Sequence, residues 1–386
     1  MVAARQPWLL SSLQSRGQIF GNIGPNWFAS VMGTGIVATA AATLPVQIPG
    51  QQVFAQVVWT LAALLLVVVV VAVAAHWVRN PTVARSHAYN PQMAHFYGAA
   101  PMAFLTVGAG ALLAGKSLIG ERAAVNLDWT LWTLGTVGGL FTAMTIPYLM
   151  FTQHRVESDA AFGGWLMPVV PPMVSAATGA LLIPHMAPGT GRTTMLYGCY
   201  AMFGLSLFAS FIIITMVWSR LAHFGTSGTA RVPTLWIVLG PLGQSITAVG
   251  LLGANAHLAV SPQLASGMGI FAILYGVPVW GFAVLWIGLA TALTVRTARS
   301  GMPFALTWWS LTFPVGTFVT GTTQLALHTE LPAFRYAAAL AYIGLLGTWC
   351  LVAIHTVRGS LRGNLFLPPP STGPIKARKF PSDKPR

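Results

Sequence analysis

Charged residues divide the chain into long uncharged segments. No Asp, Glu, Lys or Arg occurs between Arg16 and Arg79, and a polar break at 45–50 splits this stretch into two halves. Each half is long enough for a membrane-spanning helix, which needs about 20 mostly apolar residues. The remaining uncharged segments predict eight more helices, because Ser261-Pro262 divides the longest one into two. These segments are 86–115, 129–154, 160–191, 193–219, 232–295, 300–329 and 336–357. The pattern predicts an all-α membrane protein with ten transmembrane helices.

The positive charges predict how these helices are oriented. Ten crossings place both termini on one side, and the connections then alternate between two faces. Sixteen of the twenty Lys and Arg fall on the face that carries the termini, and four fall on the other. Positive residues remain cytoplasmic, so we expect both termini inside the cell. The chain then divides into a cytoplasmic N-terminal tail (1–20), a ten-helix domain (21–360) and a basic, Pro-rich cytoplasmic tail (361–386).

A repeat runs through the odd-numbered helices. Each opens with an aromatic residue, and these residues lie 69, 69, 71 and 73 positions apart: Trp27, Phe96, Trp165, Trp236 and Trp309. A proline follows in four of the five helices, at Pro101, Pro171, Pro241 and Pro314. The repeat predicts five helical hairpins in the same orientation, which close into a ring around a central pore. The odd helices, rich in Pro and Gly, belong inside this ring, because a proline frees a backbone carbonyl that lipid cannot satisfy.

The register of the repeat identifies candidate pore residues. Four positions after each opening aromatic stand Val31, Ala100, Val169, Gly240 and Phe313. Only Phe313 carries a large ring, which would cross the bore and gate it as a hydrophobic constriction does. From spacing alone, Phe313 can equally be an ordinary packing residue. The expected pore lining comprises Val31, Gly33, Thr34, Ala100, Pro101, Val169, Pro171, Gly240, Pro241 and Pro314.

Composition narrows the chemistry. Hydrophobic residues make up 55% of the chain and charged residues 7%, against roughly a quarter charged in soluble proteins. All six Asp and Glu lie outside the predicted helices. Since cation pathways and proton relays usually use buried carboxylates, this pattern permits an anion pathway. The sequence contains no metal-binding or cofactor motif, and its basic residues form no stripe for nucleic acid. We therefore expect no enzyme activity, no metal and no cofactor.

Several motifs resemble one known family, the tellurite-resistance/dicarboxylate transporters. The family includes plant slow anion channels, fungal sulfite efflux pumps and malate permeases. The resemblance covers roughly residues 20–360, and it rests on three motifs: Pro25-Asn26-Trp27-Phe28 followed by Met32-Gly33-Thr34-Gly35-Ile36, Trp165-Leu166-Met167-Pro168, and Trp308-Trp309-Ser310-Leu311-Thr312-Phe313-Pro314. It implies ten helices in five hairpins around a pore, a homotrimer with one pore per subunit, and a Phe that plugs the pore, here Phe313.

The resulting expectation is an anion channel or passive transporter in the plasma membrane. A small oxyanion such as sulfite is the leading substrate, because a negative-inside potential drives a monovalent anion outward without coupling. The alternative is a proton-coupled permease for C4-dicarboxylates such as malate, in which a histidine or the substrate carries the proton. A membrane-embedded enzyme or sensor is a third class. It would require a converging catalytic set, which the sequence does not show.

Overall fold

The computed structural model describes residues 9–226 and 228–367. Within these ranges the chain forms twelve α-helices and no β-strand, so the predicted all-α class is confirmed. The helices are α1 (Phe28–Thr43), α2 (Gln51–Arg79), α3 (Pro81–Tyr89), α4 (Ala99–Gly110), α5 (Lys116–Ile119), α6 (Glu121–Thr152), α7 (Pro171–Leu182), α8 (Thr190–Phe224), α9 (Leu239–Asn255), α10 (Pro262–Arg299), α11 (Phe313–Thr329) and α12 (Pro332–Arg362). Most of the predicted C-terminal tail, 368–386, lies outside the described residues.

Seven helical segments are long and apolar enough to cross a membrane. They are Gln51–Arg79, Ala94–Ile119, Glu121–Thr152, Thr190–Phe224, Val232–Leu258, Pro262–Arg299 and Pro332–Arg362. The other three predicted spans contain shorter α-helices, because α1, α7 and α11 have 16, 12 and 17 residues. Each of these follows a 3-10 or irregular stretch that contains or precedes a proline, which delays the start of the α-helix. The chain is a multi-pass membrane protein, and the count of ten crossings stays a prediction.

Five helices form a closed ring. α1 contacts α4, α4 contacts α7, α7 contacts α9, α9 contacts α11, and α11 returns to α1. We call these five the inner helices. The 3-10 segments that precede them contact one another in the same circular order: Pro25–Trp27, Ala94–Gly98, Gly163–Leu166, Val232–Val238 and Leu306–Leu311. All inner helices therefore start at the same face of the protein. Each of these 3-10 segments contains one of the five repeated aromatic residues.

Five further helices, α2, α6, α8, α10 and α12, surround the ring and are called the outer helices. Inner and outer helices alternate along the chain. The outer helices present many large apolar side chains at the surface. On α2 these are Val53, Val57, Leu61, Leu64, Val67, Val68 and Val71, each with about half or more of its area exposed. Exposed apolar area of this extent is suited to lipid tails and not to water.

Glycine lets neighbouring inner helices approach closely. A Cβ atom at Gly243 of α9 would lie 2.5 Å from the backbone nitrogen of Phe318 in α11. A Cβ atom at Gly321 would lie 2.7 Å from the carbonyl oxygen of Gly243. Thr317 of α11 also donates its hydroxyl to the carbonyl of Leu239, at 3.0 Å. Between membrane helices such close van der Waals packing replaces the hydrophobic effect as the main attraction.

Tryptophans attach four outer helices to the ring. In each case an indole N–H donates to the inner helix that comes next in the ring. The pairs are Trp59 with the Val107 carbonyl, Trp132 with the Ser175 carbonyl, Trp280 with the Thr322 hydroxyl and Trp349 with the Thr34 hydroxyl, at 3.0, 2.9, 3.0 and 3.2 Å. The last pair joins α12, the last helix, to α1, the first.

The two ends of the described chain lie at one face. The backbone nitrogen of Leu10 donates to the carbonyl of Leu361 at 2.6 Å, and the rings of Trp27 and Phe366 stack with centroids 5.5 Å apart. Asn80, at the end of α2, donates its amide to the carbonyl of Phe20 at 2.8 Å. With both ends at one face, the chain must cross the membrane an even number of times, as the predicted ten crossings do.

The contact between α9 and α11 leads to a stability prediction. Gly243→Ala should lower the free energy of unfolding by about 1–3 kcal/mol, because its methyl group overlaps the backbone of α11. The measurement is the melting temperature of the purified protein in detergent. Gly240→Ala on the same helix is the matched control, since a Cβ atom there meets nothing within 4 Å. Equal melting temperatures for the two variants would contradict the close-packing argument.

Candidate functional site

The ring of inner helices encloses a cavity of about 100 Å³. A cavity needs roughly 10–15 Å³ of accessible volume to hold one water molecule. This cavity therefore has room for several waters or a small ion. All five inner helices, with the turn after α4, contribute to its wall. The lining residues are Ile36, Thr39, Thr43, Thr106, Ala109, Leu113, Val174, Ala177, Thr178, Leu181, Gln244, Thr247, Leu251, Phe313, Thr320 and Gln324. Half of these residues are polar and none of them is charged.

One threonine from each inner helix lines the cavity, and α1 contributes a second one, Thr43, one turn after the first. The five residues are Thr39, Thr106, Thr178, Thr247 and Thr320, and we call them the threonine belt. They stand 10 to 13 residues after the opening aromatic of their helix. Because all inner helices start at the same face, similar positions in the helices place the five threonines at a similar depth. Sequence analysis missed the belt, although the repeat register carries the signal that could have found it.

The hydroxyl hydrogens of the belt form hydrogen bonds within the protein. Each hydroxyl lies within hydrogen-bonding distance of a backbone carbonyl three or four residues earlier. The distances are 3.2 Å from Thr39 to Ile36, 2.6 Å from Thr106 to Met102, 2.9 Å from Thr178 to Val174, 3.0 Å from Thr247 to Gly243 and 3.1 Å from Thr320 to Thr317. The hydroxyls of Thr247 and Thr320 also form a hydrogen bond with each other at 2.8 Å, in which one of them is the donor. A hydroxyl that donates in this way keeps its lone pairs as acceptors.

Two glutamines lie on either side of the belt. Gln244 is one turn before Thr247 on α9, and Gln324 is about one turn after Thr320 on α11. Their side chains are 4% and 7% exposed. Within the described part of the chain, the Oε1 atom of Gln244 is buried without a hydrogen-bond partner. A buried amide that bonds to no other side chain or backbone group has its hydrogen-bonding capacity available for a ligand.

Phe313 lines the cavity at the end where the inner helices start. It is the first residue of α11 and is 2% exposed. The preceding residue, Thr312, has a backbone conformation far from that of a regular α-helix (φ −110°, ψ −72°). Pro314 follows and has no backbone N–H to donate. The phenyl ring therefore stands at a break between the 3-10 segment and the α-helix.

The other residues predicted to line the pore are not among the sixteen that line this cavity. Gly33 packs against the 3-10 segment before α11, because a Cβ atom there would collide with Thr312 and Trp309. Thr34 accepts the indole N–H of Trp349. Gly240 borders open space, since a Cβ atom would meet nothing within 4 Å. As pore-lining residues these three stay predictions.

The remaining predicted positions lie in similar packed surroundings. Ala100 and Pro101 line a separate, lateral cavity between α4 and α6, and Pro171 packs against Gly139 of α6. The carbonyl of Val169 accepts the hydroxyl of Ser206 from α8 at 2.5 Å. Val31, Pro241 and Pro314 are buried. Their roles in a pore also stay predictions.

Asp128 corrects one expectation about charge. The sequence pattern placed all acidic residues outside the helices, but α6 begins at Glu121, directly after a turn at Gly120 with φ +83°. Asp128 therefore lies in the third turn of the helix and is fully buried against Gly108 of α4. Neither carboxylate oxygen has a hydrogen-bond partner among the described residues. The sequence interpretation took each charged residue as the boundary of a helix. In the structure, Gly108 leaves room for the carboxylate of Asp128 within α6. Asp128 does not line the central cavity.

Comparison with known proteins reveals relatives along most of the chain. A sulfite efflux pump of Trichophyton rubrum is 26% identical over 351 residues, which cover 89% of this chain and 92% of the relative. A transporter of Methanocaldococcus jannaschii is 26% identical over 368 residues, covering 93% and 99% of the two chains. A Schizosaccharomyces pombe protein that carries the name of a malic acid transport protein is 19% identical over 362 residues, covering 89% and 80%.

The family profile described as voltage-dependent anion channel matches residues 22–357. This match spans nearly the whole described chain, including all five inner helices and the cavity. The resemblance drawn from the Trp- and Pro-containing motifs is thereby confirmed, and the family is one of membrane transport proteins. The chain belongs to the voltage-dependent anion channel family.

Proposed function

We propose that this protein passes a small oxyanion such as sulfite out of the cell, down its electrochemical gradient, with Phe313 as the gate. The observation that carries the proposal is the uncharged cavity at the centre of the inner ring, which is lined by threonines, glutamines and apolar side chains, with Phe313 at one end. A cavity without charged groups holds an anion loosely, so size and ease of dehydration decide which anion passes. Loose binding suits passive flux, since a tightly held ion leaves slowly.

The membrane arrangement that fits this function has ten crossings in five parallel hairpins. Seven helical segments are long enough to cross by themselves, and the three shorter inner helices complete their crossings with the 3-10 segments before them. We place residues 21–360 in the plasma membrane and both tails in the cytoplasm, because most Lys and Arg fall on the face that carries the termini. We also propose a homotrimer with one pore in each subunit, as the family resemblance implies.

Sulfite is the leading substrate because the fungal relatives at 26% identity are named sulfite efflux pumps. The relative named for malic acid transport is more distant, at 19% identity. A proton-coupled permease for C4-dicarboxylates needs a group that carries the proton. None of the described residues that line the cavity is titratable near neutral pH. This observation favours passive flux of a small anion.

The surroundings of Phe313 support a movable gate. Gly240 stands at the same register on the neighbouring helix α9 and borders open space. Phe313 lies before the regular hydrogen bonds of α11, and the backbone at this point bonds from the N–H of Thr312 to the carbonyl of Trp309 at 3.1 Å. A small rotation there moves the ring out of the axis into the space beside Gly240. Such a rotation would take place before the regular part of α11, so the helix itself would stay intact.

The transport mode can be tested in vesicles that contain the purified protein. With a negative-inside potential, sulfite, nitrate and chloride should leave faster than from protein-free vesicles, and flux should follow the potential. Each 100 mV contributes about 2.3 kcal/mol to the driving force on one charge. Flux that requires a pH gradient, saturates and prefers malate would support the permease instead. Flux of cations in preference to anions would overturn the proposal.

The gate is tested by truncating Phe313. Phe313→Ala should raise the basal anion conductance severalfold, and Phe313→Leu should raise it less, because leucine still fills part of the bore. Phe318→Ala is the matched control. Phe318 is a buried phenylalanine on the same helix that stacks on Trp280 and does not line the cavity. Its truncation should lower stability by about 3–5 kcal/mol without opening the pore. A folded Phe313→Ala protein with wild-type flux would show that Phe313 is no gate.

A further inference from the structure

We infer that the cavity selects oxyanions that carry their own proton, such as hydrogen sulfite, over anions of similar size that carry none. The inference rests on the proposed function, because it assigns the binding groups of the same cavity. It follows from the direction of the hydrogen bonds in the threonine belt and from the two buried glutamines. Neither feature depends on the gate or on the number of membrane crossings.

The threonine belt offers acceptors to a ligand. Four of the five hydroxyls donate to backbone carbonyls of their own helices, at 2.6 to 3.2 Å, and within the pair of Thr247 and Thr320 one hydroxyl donates to the other at 2.8 Å. Their lone pairs are then the groups that face the cavity. An anion without a proton would meet these lone pairs with its own negative oxygen atoms, which is unfavourable. A hydroxyl could turn to the anion only by giving up its present hydrogen bond within the protein.

The two glutamines offer donors. Gln244 and Gln324 line the cavity on neighbouring helices, and the Oε1 atom of Gln244 has no hydrogen-bond partner among the described residues. Each amide carries two N–H donors, which can bind the oxygens of an anion. The wall as a whole therefore combines five hydroxyl acceptors with amide donors on either side of them. A ligand that bonds to both the acceptors and the donors is a small anion that carries negatively charged oxygens and an O–H group.

Hydrogen sulfite has these groups. Its charged oxygens can accept from the glutamine amides, and its O–H can donate to a threonine oxygen of the belt. Chlorate is a matched comparison, because it is a monovalent pyramidal oxyanion of similar shape without a proton. Loss of a single neutral hydrogen bond corresponds to about fivefold in binding. At low anion concentrations, where entry into the cavity limits the flux, we therefore expect wild-type protein to carry hydrogen sulfite about fivefold faster than chlorate.

The test uses vesicles of the full chain loaded with radiolabelled sulfite or chlorate. Protein-free vesicles correct for sulfur dioxide that crosses the lipid. As the pH is raised on both sides, hydrogen sulfite loses its proton, and the flux of total sulfite relative to chlorate should fall. Titratable side chains that pack behind the cavity wall affect both anions, so chlorate measured at each pH corrects for them. These are Asp128 on α6, Cys199 and Tyr200 on α8, Tyr275 on α10 and Tyr342 on α12.

Variants locate the effect in the belt. The double change Thr247→Val and Thr320→Val removes two acceptors that contact each other and keeps the side-chain shape. It should reduce the ratio of sulfite to chlorate flux about fivefold, mainly through slower sulfite flux. Gln244→Leu should slow both anions, because it removes a donor that either can use. Thr142→Val is the matched control, since Thr142 is buried on α6, donates to Gly139 at 3.1 Å and lies outside the central cavity.

The outcomes separate the two proposals. Wild-type vesicles that carry neither anion faster than protein-free vesicles overturn the proposed function, and the inference with it. Wild-type vesicles that carry chlorate as fast as sulfite at every pH overturn only the inference. A wild-type preference for sulfite that remains in the double threonine variant also overturns the role of the belt. The pH series needs only wild-type protein, so the inference stays testable if a variant does not fold.

Discussion

Polar groups within the membrane must find their hydrogen-bond partners inside the protein, and most of this structure follows from that constraint. Threonine hydroxyls of the inner helices bond back to their own backbone, and indole N–H groups of the outer helices bond to the ring. The prolines at the start of the inner helices have no backbone N–H that would need a partner. They lie where the 3-10 segments pack on one another. Exceptions among the described residues include Asp128 on α6 and Gln244 at the cavity, whose buried side-chain oxygens have no hydrogen-bond partner.

The same constraint separates the two shells of helices. The outer helices expose mostly apolar side chains to lipid. Four of them bond to the ring through the indole N–H of a tryptophan that faces inward. Inner helices are buried on nearly all sides and can carry glycine, threonine and glutamine without exposing them to lipid. An uncharged cavity in such a ring is compatible with anions, because no carboxylate lies in its wall to repel them. The buried carboxylate of Asp128 stands one layer further out, behind α4.

Much of this arrangement could be predicted from the sequence. The aromatic repeat marks the start of each inner helix, since Trp27, Phe96, Trp165, Trp236 and Trp309 all lie in the 3-10 segments that form a ring. The direction of individual side chains could not be predicted. Because the inner helices are apolar all round, hydrophobic periodicity does not reveal which side faces the axis. The threonine belt was therefore missed, whereas Phe313 was found through its size. Asp128 was misplaced because charge was taken to mark the end of a helix.

The bond between Trp349 and Thr34 bears on how the protein is made. During synthesis α1 emerges first, yet its partner for this bond lies on the last helix, more than three hundred residues later. The contact of α1 with α11 also has to wait until nearly the whole chain has entered the membrane. Until then one flank of α1, with the Thr34 hydroxyl on it, remains uncovered. A chain that stops before α12 leaves this side of α1 without its partner helix. We expect membrane chaperones and proteases to recognise the early helices of such a chain.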